Sequence, residues 1–252
     1  MNQKIPIVFI GPPEMATVFQ NSLSLDSSIF HFYTTEPVNA LKNENYEKQS
    51  EQNSHLVVGP GTAGCSIAHL HAQSIIQNHF IAPPPPQGAD TASGIKPKSV
   101  NSGGFVFETD AIFTNYGRDY FLKFVSTLNT CEFKLIQLGG LKSTSGRKGQ
   151  KVNVTSSLRN YFLSNIVHDL YEDSMEFFKV ELKIVKGWIG GSHAYWIHTD
   201  AIKILHQNQA GFLNSLDDYY RTISWNTGWI GRTRQNLFIQ SDTPSLIKKI
   251  GR

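Results

Sequence analysis

A run of four prolines, Pro83–Pro86, constrains the fold of this chain more than any other stretch. Proline fixes its own φ and lacks a backbone N–H, so the run favours a polyproline II conformation and excludes a helix. Polar, glycine-containing sequence follows as far as Gly104. We therefore predict a linker or long surface loop over 87–104, between a core over 1–86 and a second region over 105–252.

Hydrophobic periodicity on both sides of this stretch mixes strands and helices without regular βαβ alternation, which predicts an α+β fold. The core over 1–86 could be completed by later strands. The predicted strands are Ile5–Ile10, Ile29–Tyr33, His55–Val58, Phe105–Phe113, Phe133–Leu138 and Lys179–Trp188, with broken strands over Ile223–Ile239. The predicted helices are Pro13–Leu25, Arg118–Leu128, Ser156–Phe177 and Asp200–Thr222, and Asn43–Asn53 is a loop or a frayed helix.

Composition bounds the class of protein. The 252 residues are 40% hydrophobic and 17% charged, which is typical of a globular chain, and a net charge of +3 does not by itself indicate nucleic acid as a partner. Two cysteines, Cys65 and Cys131, exclude a four-cysteine zinc site and suggest no disulfide framework. With no signal-like N-terminus and no long apolar window, we expect a soluble cytoplasmic protein without a membrane segment.

The segment GTAGCSIAHLHAQ at 61–73 places two histidines one residue apart behind a glycine-rich stretch. We interpret Gly59–Gly64 as a flexible turn and Ile67–Phe80 as largely extended. In a strand, alternate residues point to one face, so His69, His71 and Gln73 would project together as one wall of a site.

Gly64, Ser66, His69, His71 and Gln73 fit a pattern of a small-residue turn, G-x-S, two spacers and H-x-H-x-Q. This pattern resembles the active-site segment of the histidine-triad superfamily. More narrowly, it resembles the branch of galactose-1-phosphate uridylyltransferase, diadenosine tetraphosphate phosphorylase and the GDP-hexose phosphorylases. The resemblance implies an antiparallel sheet with flanking helices, extended here by C-terminal α+β structure.

The resemblance also implies a function. His71 would attack the α-phosphorus of a nucleotide sugar or a dinucleoside polyphosphate and form a covalent nucleotidyl-histidine. Gln73 would bind phosphoryl oxygens, His69 would support the site, and Ser66 with the backbone of Gly61–Gly64 would hold the phosphates. We expect a nucleotidyltransferase or phosphorylase that needs no cofactor and no metal, since the cysteine pair of the zinc-binding uridylyltransferases is missing. A homodimer is left open.

A basic loop, GGLKSTSGRKGQK at 139–151, supplies further candidates for phosphate binding: Lys142, Arg147 and Lys148. The loop lacks the residue order of a P-loop, so a solvated surface loop is the alternative to one that closes over a nucleotide.

Three other interpretations stay open. The chain could bind a nucleotide without catalysis. His69 and His71 could hold the metal of a hydrolase. His198 and Asp200 form an H-x-D, which non-haem iron enzymes use, although Thr199 or Asp200 as a helix N-cap explains the same residues.

Overall fold

The computed structural model describes residues 4–52, 58–81, 102–128, 133–140, 192–208, 215–217, 219, 220, 223, 230–233 and 236–240. Most of the predicted linker, the basic loop beyond Gly140 and the elements predicted between 156 and 188 lie outside these residues. At the end of the predicted linker, Gly103 and Gly104 already belong to a strand.

The described residues include nine strands and five α-helices, and residues 216, 217, 219, 220 and 223 are also helical. The strands are β1 Ile5–Ile10, β2 Phe30–Thr35, β3 Gly103–Glu108, β4 Ala111–Phe113, β5 Leu135–Gln137, β6 Gly139–Gly140, β7 Ala194–His198, β8 Ile230–Arg232 and β9 Phe238–Gln240. The helices are α1 Pro13–Leu23, α2 Glu44–Gln52, α3 Pro60–His79, α4 Asn115–Thr127 and α5 Thr199–Asn208, and a short 3-10 helix spans Ala40–Lys42. Among the described helices, none combines the length and apolarity that crossing a bilayer requires.

Six strands form one sheet in the order β2-β1-β3-β7-β5-β8, and a second sheet has the order β4-β9-β6. The predicted α+β class is confirmed. The main sheet is mixed, however, and not the antiparallel sheet that the resemblance implies: β1 runs parallel to both β2 and β3, and β7 runs antiparallel to β3 and β5. Parallel neighbours need a crossover, and α1 provides one between β1 and β2.

Both faces of the main sheet are covered. Ile7 and Phe9 of β1 join an aromatic cluster that includes residues of α1 and α4. Val8 and Ile10 point the other way and pack with residues of α3 and α5. Because β1 is buried on both faces, its sequence is a continuous apolar run, as is typical of strands inside a parallel sheet.

The main sheet joins the two sides of the predicted linker. Strands β1 and β2 precede it, β3 begins at its end, and β5, β7 and β8 follow it in sequence. The central pair β1–β3 aligns Ile7 with Phe105 and Ile10 with Glu108. The core over 1–86 therefore shares its sheet with later strands.

Two predictions of local structure were wrong at the histidine segment. Gly59–Gly64 is not a turn and Ile67–Phe80 is not extended, because α3 runs through both, with Gly59 as N-cap and Pro60 in the first turn. Gly64 has a packing reason to be glycine: a Cβ there would lie 2.1 Å from the carbonyl oxygen of Val38. The backbone of α3 therefore passes close to the backbone of Val38 at Gly64.

Strand β7, at Ala194–His198, was not predicted. At its end, the backbone N–H of Asp200 donates to Nδ1 of His198 at 3.1 Å, so the H-x-D sequence serves the start of α5. Neither residue belongs to a group of three potential metal ligands among the described residues.

Thr114→Ala should lower the free energy of unfolding by about 1–2 kcal/mol. Thr114 is the N-cap of α4: its hydroxyl accepts from the N–H of Gly117 at 2.8 Å and donates to the carbonyl of Asn236 at 2.8 Å. Urea unfolding measures the loss. Thr114→Ser keeps the hydroxyl and should stay within about 0.5 kcal/mol of the wild type, so an equal loss in both variants would contradict a capping role.

Candidate active site

Helix α3 carries three polar side chains at intervals of four residues, Cys65, His69 and Gln73. Residues four apart lie on one face of a helix, and here that face packs on the main sheet, with His69 and Gln73 fully buried. His71 lies about 200° around the helix from His69 and is exposed. The prediction that His69, His71 and Gln73 share a face is wrong for His71, because the segment has a helical period.

His69 is held by two partners at the sheet. Its Nε2 lies 3.0 Å from Oε1 of Glu108, and its Nδ1 lies 3.0 Å from the hydroxyl of Tyr195. An ionised carboxylate can only accept, so Nε2 donates to Glu108, and the Tyr195 hydroxyl is the partner of Nδ1. Burial raises the pKa of Glu108, but its hydrogen bond to His69 and the charges of His69 and His193 outweigh burial and lower that pKa below its usual value.

Gln73 extends this network into the core. Its amide nitrogen donates to the hydroxyl of Tyr195 at 3.2 Å and to the hydroxyl of Tyr220. Both tyrosines are fully buried, and burial raises the pKa of each hydroxyl, so both stay protonated. Gln73 therefore positions Tyr195 behind His69.

Cys65 completes a cluster of potential metal ligands. One ligand atom each of Cys65, His69 and Glu108 lies within 4.8 Å of the others. Burial is the main cause that raises the pKa of the Cys65 thiol well above its usual value, and the negative charges of Glu108, Asp217 and Asp110 raise it further. Without a cation beside it, Cys65 is therefore a thiol and a poor nucleophile.

Asp110 and His193 flank this cluster. Burial, followed by the charge of Glu108, raises the pKa of Asp110 to about 6, while Gln240 donates to its Oδ2 at 2.9 Å. Burial lowers the pKa of His193, although the negative charges of Glu108 and Asp217 act to raise it. The carboxyl groups of Glu108, Asp110 and Asp217 thus act on this cluster, while burial is the main cause that makes Cys65 and Asp110 harder to ionise.

The cluster lies at the carboxyl ends of the parallel strands. Glu108 ends β3, Asp110 follows it, and the backbone N–H of Glu108 donates to the carbonyl of His193 just before β7. Open sheets with parallel strands bind ligands at this edge, because loops and helix ends meet there. The N-terminal half of α3 brings Cys65 and His69 to the same edge.

The structure describes three of the predicted phosphate-binding residues, Ser66, Gly64 and Gly61. Ser66 is buried and its hydroxyl donates to the carbonyl of Thr62 at 3.1 Å within α3. Gly64 packs against Val38, and Gly61 lies buried in the first turn of the helix. The other three predicted residues lie outside the described part of the chain: Lys142, Arg147 and Lys148.

Sequence reasoning did not place Glu108, Tyr195 or Cys65 in this site. The i, i+4, i+8 spacing of Cys65, His69 and Gln73 was available as a signal, but only under a helical interpretation of the segment. Glu108 and Tyr195 come from strands that lie 39 and 126 residues after His69, and no local pattern connects them.

Comparison of the chain with known proteins does not identify its family. No family model matches the chain, and no curated protein shows significant similarity to it. The fold and the site define the protein in chemical terms only: an α+β chain with a partly buried cysteine–histidine–carboxylate cluster at the carboxyl edge of a mixed sheet.

Proposed function

We propose that the chain is a metal-dependent hydrolase whose metal is held by Cys65, His69 and Glu108. The observation that carries this proposal is the convergence of three ligand atoms, each within 4.8 Å of the other two, at the carboxyl edge of the sheet. This centre differs from the H-x-H metal site considered from the sequence, because His71 lies on the far side of α3.

The donor set favours a zinc-like cation. Thiolate, imidazole and carboxylate are the protein ligands of Zn²⁺, and three of them leave a fourth coordination position for water. When bound, such a cation supplies a water that ionises near neutral pH and polarises the bond to be hydrolysed. Burial, and after it neighbouring negative charge, raises the pKa of both the Cys65 thiol and the Asp110 carboxyl, and a cation would favour their ionised forms.

The surrounding residues suit a metal centre. A hydrogen bond joins Nε2 of His69 to Glu108, and a cation would take the place of the proton in that bond. Nδ1 would then carry the hydrogen and donate to the hydroxyl of Tyr195, which Gln73 holds in place. Hydrogen bonds of this kind orient histidine ligands and fix their tautomer.

Nucleotidyl transfer through His71 stays a prediction, as does a non-catalytic nucleotide-binding role. The exposed position of His71 leaves it accessible to a substrate, but no described residue pairs with it as a base or an orienting group. The metal centre has the more specific geometry, so we rank hydrolysis first.

Titration of chelator-stripped protein with Co²⁺ tests the metal centre. We expect one Co²⁺ per chain and a near-ultraviolet thiolate-to-cobalt charge-transfer band, because Cys65 must ionise to bind. Cys65→Ser should remove the band, and His69→Gln should weaken binding by more than about 100-fold, since even outer hydrogen-bond partners are worth about 10- to 100-fold.

Two matched controls separate this site from the rest of the chain. His71→Ala changes the same residue type on the same helix, and Cys131→Ser changes the other cysteine; both should keep the band. The Zn²⁺ form should hydrolyse members of a panel of nitrophenyl phosphate monoesters, diesters and carboxylic esters, with activity lost in Cys65→Ser. A band that survives in Cys65→Ser or disappears in His71→Ala would refute the assignment.

A further inference from the structure

Arg232 is a buried cation with no acidic partner among the described residues. Arg232 is the last residue of β8 and is 7% exposed. One terminal nitrogen donates to the side-chain oxygen of Asn236 at 3.2 Å, whereas Nε and the other terminal nitrogen have no partner within the described part of the chain. Burial lowers the pKa of Arg232 to about 10, so the guanidinium is still charged at neutral pH.

A buried guanidinium without a counter-ion is unfavourable, and each of its two free donors can hold an oxygen of a phosphate or a carboxylate. A guanidinium holds its donors in a fixed planar geometry, which the single ammonium of lysine cannot reproduce. The unpartnered donors of Arg232 therefore define a receptor for an oxyanion.

Sheet register connects Arg232 with the metal centre. Tyr195 of β7, Gln137 of β5 and Arg232 of β8 stand opposite one another across neighbouring strands. All three are buried, and Tyr195 is the residue that contacts His69. Two strand spacings separate the backbones of Tyr195 and Arg232 by about 10 Å, at the same edge of the same sheet.

We propose that Arg232 binds a phosphate or carboxylate group of the substrate whose scissile bond lies at Cys65, His69 and Glu108. The assignment of a reaction at Cys65, His69 and Glu108 rests on the proposed function. The oxyanion site rests only on the burial and the free donors of Arg232. It assigns an anionic substrate class: a molecule that carries an acidic group in addition to the bond that is cleaved.

Equilibrium dialysis of the full chain against labelled inorganic phosphate and, separately, labelled acetate tests the site. The protein is stripped on a chelating resin and kept metal-free, so that a bound metal cannot capture the anion. We expect saturable binding of one anion per chain, and the two probes show which oxyanion the site prefers. Arg232→Gln should weaken that binding by about 10- to 100-fold, because it removes a charge-assisted contact.

Arg118→Gln is the matched control, because it removes the same charge from an exposed position of α4. It should bind as the wild type does. Arg232→Lys keeps the charge without the planar fork and should weaken binding by about 10-fold; it carries the test if Arg232→Gln does not fold. Circular dichroism verifies the fold of each variant.

Failure of this inference is distinct from failure of the metal centre. Absence of saturable phosphate and acetate binding, or equal binding by the wild type and both Arg232 variants, would overturn the oxyanion site even if the cobalt band is present. Absence of the cobalt band with Arg232-dependent anion binding would instead overturn the proposed hydrolase and keep the oxyanion site.

Discussion

His69→Ala should lower the free energy of unfolding by about 3–5 kcal/mol in metal-free protein, the largest loss that we expect from a single substitution in the site. The side chain is fully buried and bonds to Glu108 and Tyr195, both at 3.0 Å. Removing it leaves the carboxylate of Glu108 without its main partner and a buried hydroxyl without one of its hydrogen bonds. Guanidinium chloride unfolding after metal stripping measures the loss, since bound metal would add its own stabilisation.

His71→Ala provides the comparison for this prediction. It removes the same side chain two residues later, from an exposed position, and should change the free energy of unfolding by less than about 0.5 kcal/mol. If the segment were a strand with both histidines on one face, the two substitutions would have similar effects. Equal losses in the two variants would therefore contradict the helical arrangement of α3.

Gly64→Ala should lower the free energy of unfolding by about 2–3 kcal/mol. An added Cβ would lie 2.1 Å from the carbonyl oxygen of Val38, and a backbone atom cannot move aside as a flexible side chain can. The same substitution at an uncrowded helical position would gain about 1 kcal/mol from helix propensity. A destabilised Gly64→Ala would therefore report the contact with Val38, and thermal or urea unfolding measures it.

Gly59→Ser is the control for crowding near the start of α3. Gly59 is the N-cap, no atom lies within 4 Å of a Cβ placed there, and serine is a favoured N-cap residue. We expect a neutral or slightly stabilising change. A neutral Gly64→Ala beside a neutral Gly59→Ser would mean that the stretch is loosely packed and that the close approach to Val38 does not exist.

Local sequence patterns predicted those elements whose signals are local. The apolar run of β1, the proline at the start of α1 and the apolar periodicity of α4 each lie within a dozen residues, and all three elements are confirmed. Their boundaries shifted by only a few residues: α1 ends at Leu23 and α4 begins at Asn115.

Helix α3 was misassigned because its residues satisfy two periods at once. His69, His71 and Gln73 alternate as in a strand, while Cys65, His69 and Gln73 recur as in a helix. Three glycines between 59 and 64 favoured a turn, although Gly64 serves close packing and Gly59 the N-cap. Tertiary contacts of this kind override local propensity and cannot be read from the segment alone.

The site could be predicted only in part for a related reason. Two of its groups, His69 and Gln73, were singled out from the sequence, but their partners Glu108 and Tyr195 depend on which strands become neighbours. That neighbourhood is set by the order of the mixed sheet, in which β3 pairs with both β1 and β7. Strand order is a global property of the chain and has no local signature.

The pairing of β3 with β1 and β7 also determines when the site can form during synthesis. His69 meets Glu108 across 39 residues and Tyr195 across 126 residues. Closing such loops costs chain entropy before any contact compensates it, so these contacts form late in folding. On the ribosome, α3 with His69 and Gln73 would emerge long before Tyr195 is synthesised. These polar groups would stay hydrated in the nascent chain until β7 has been synthesised and can pair.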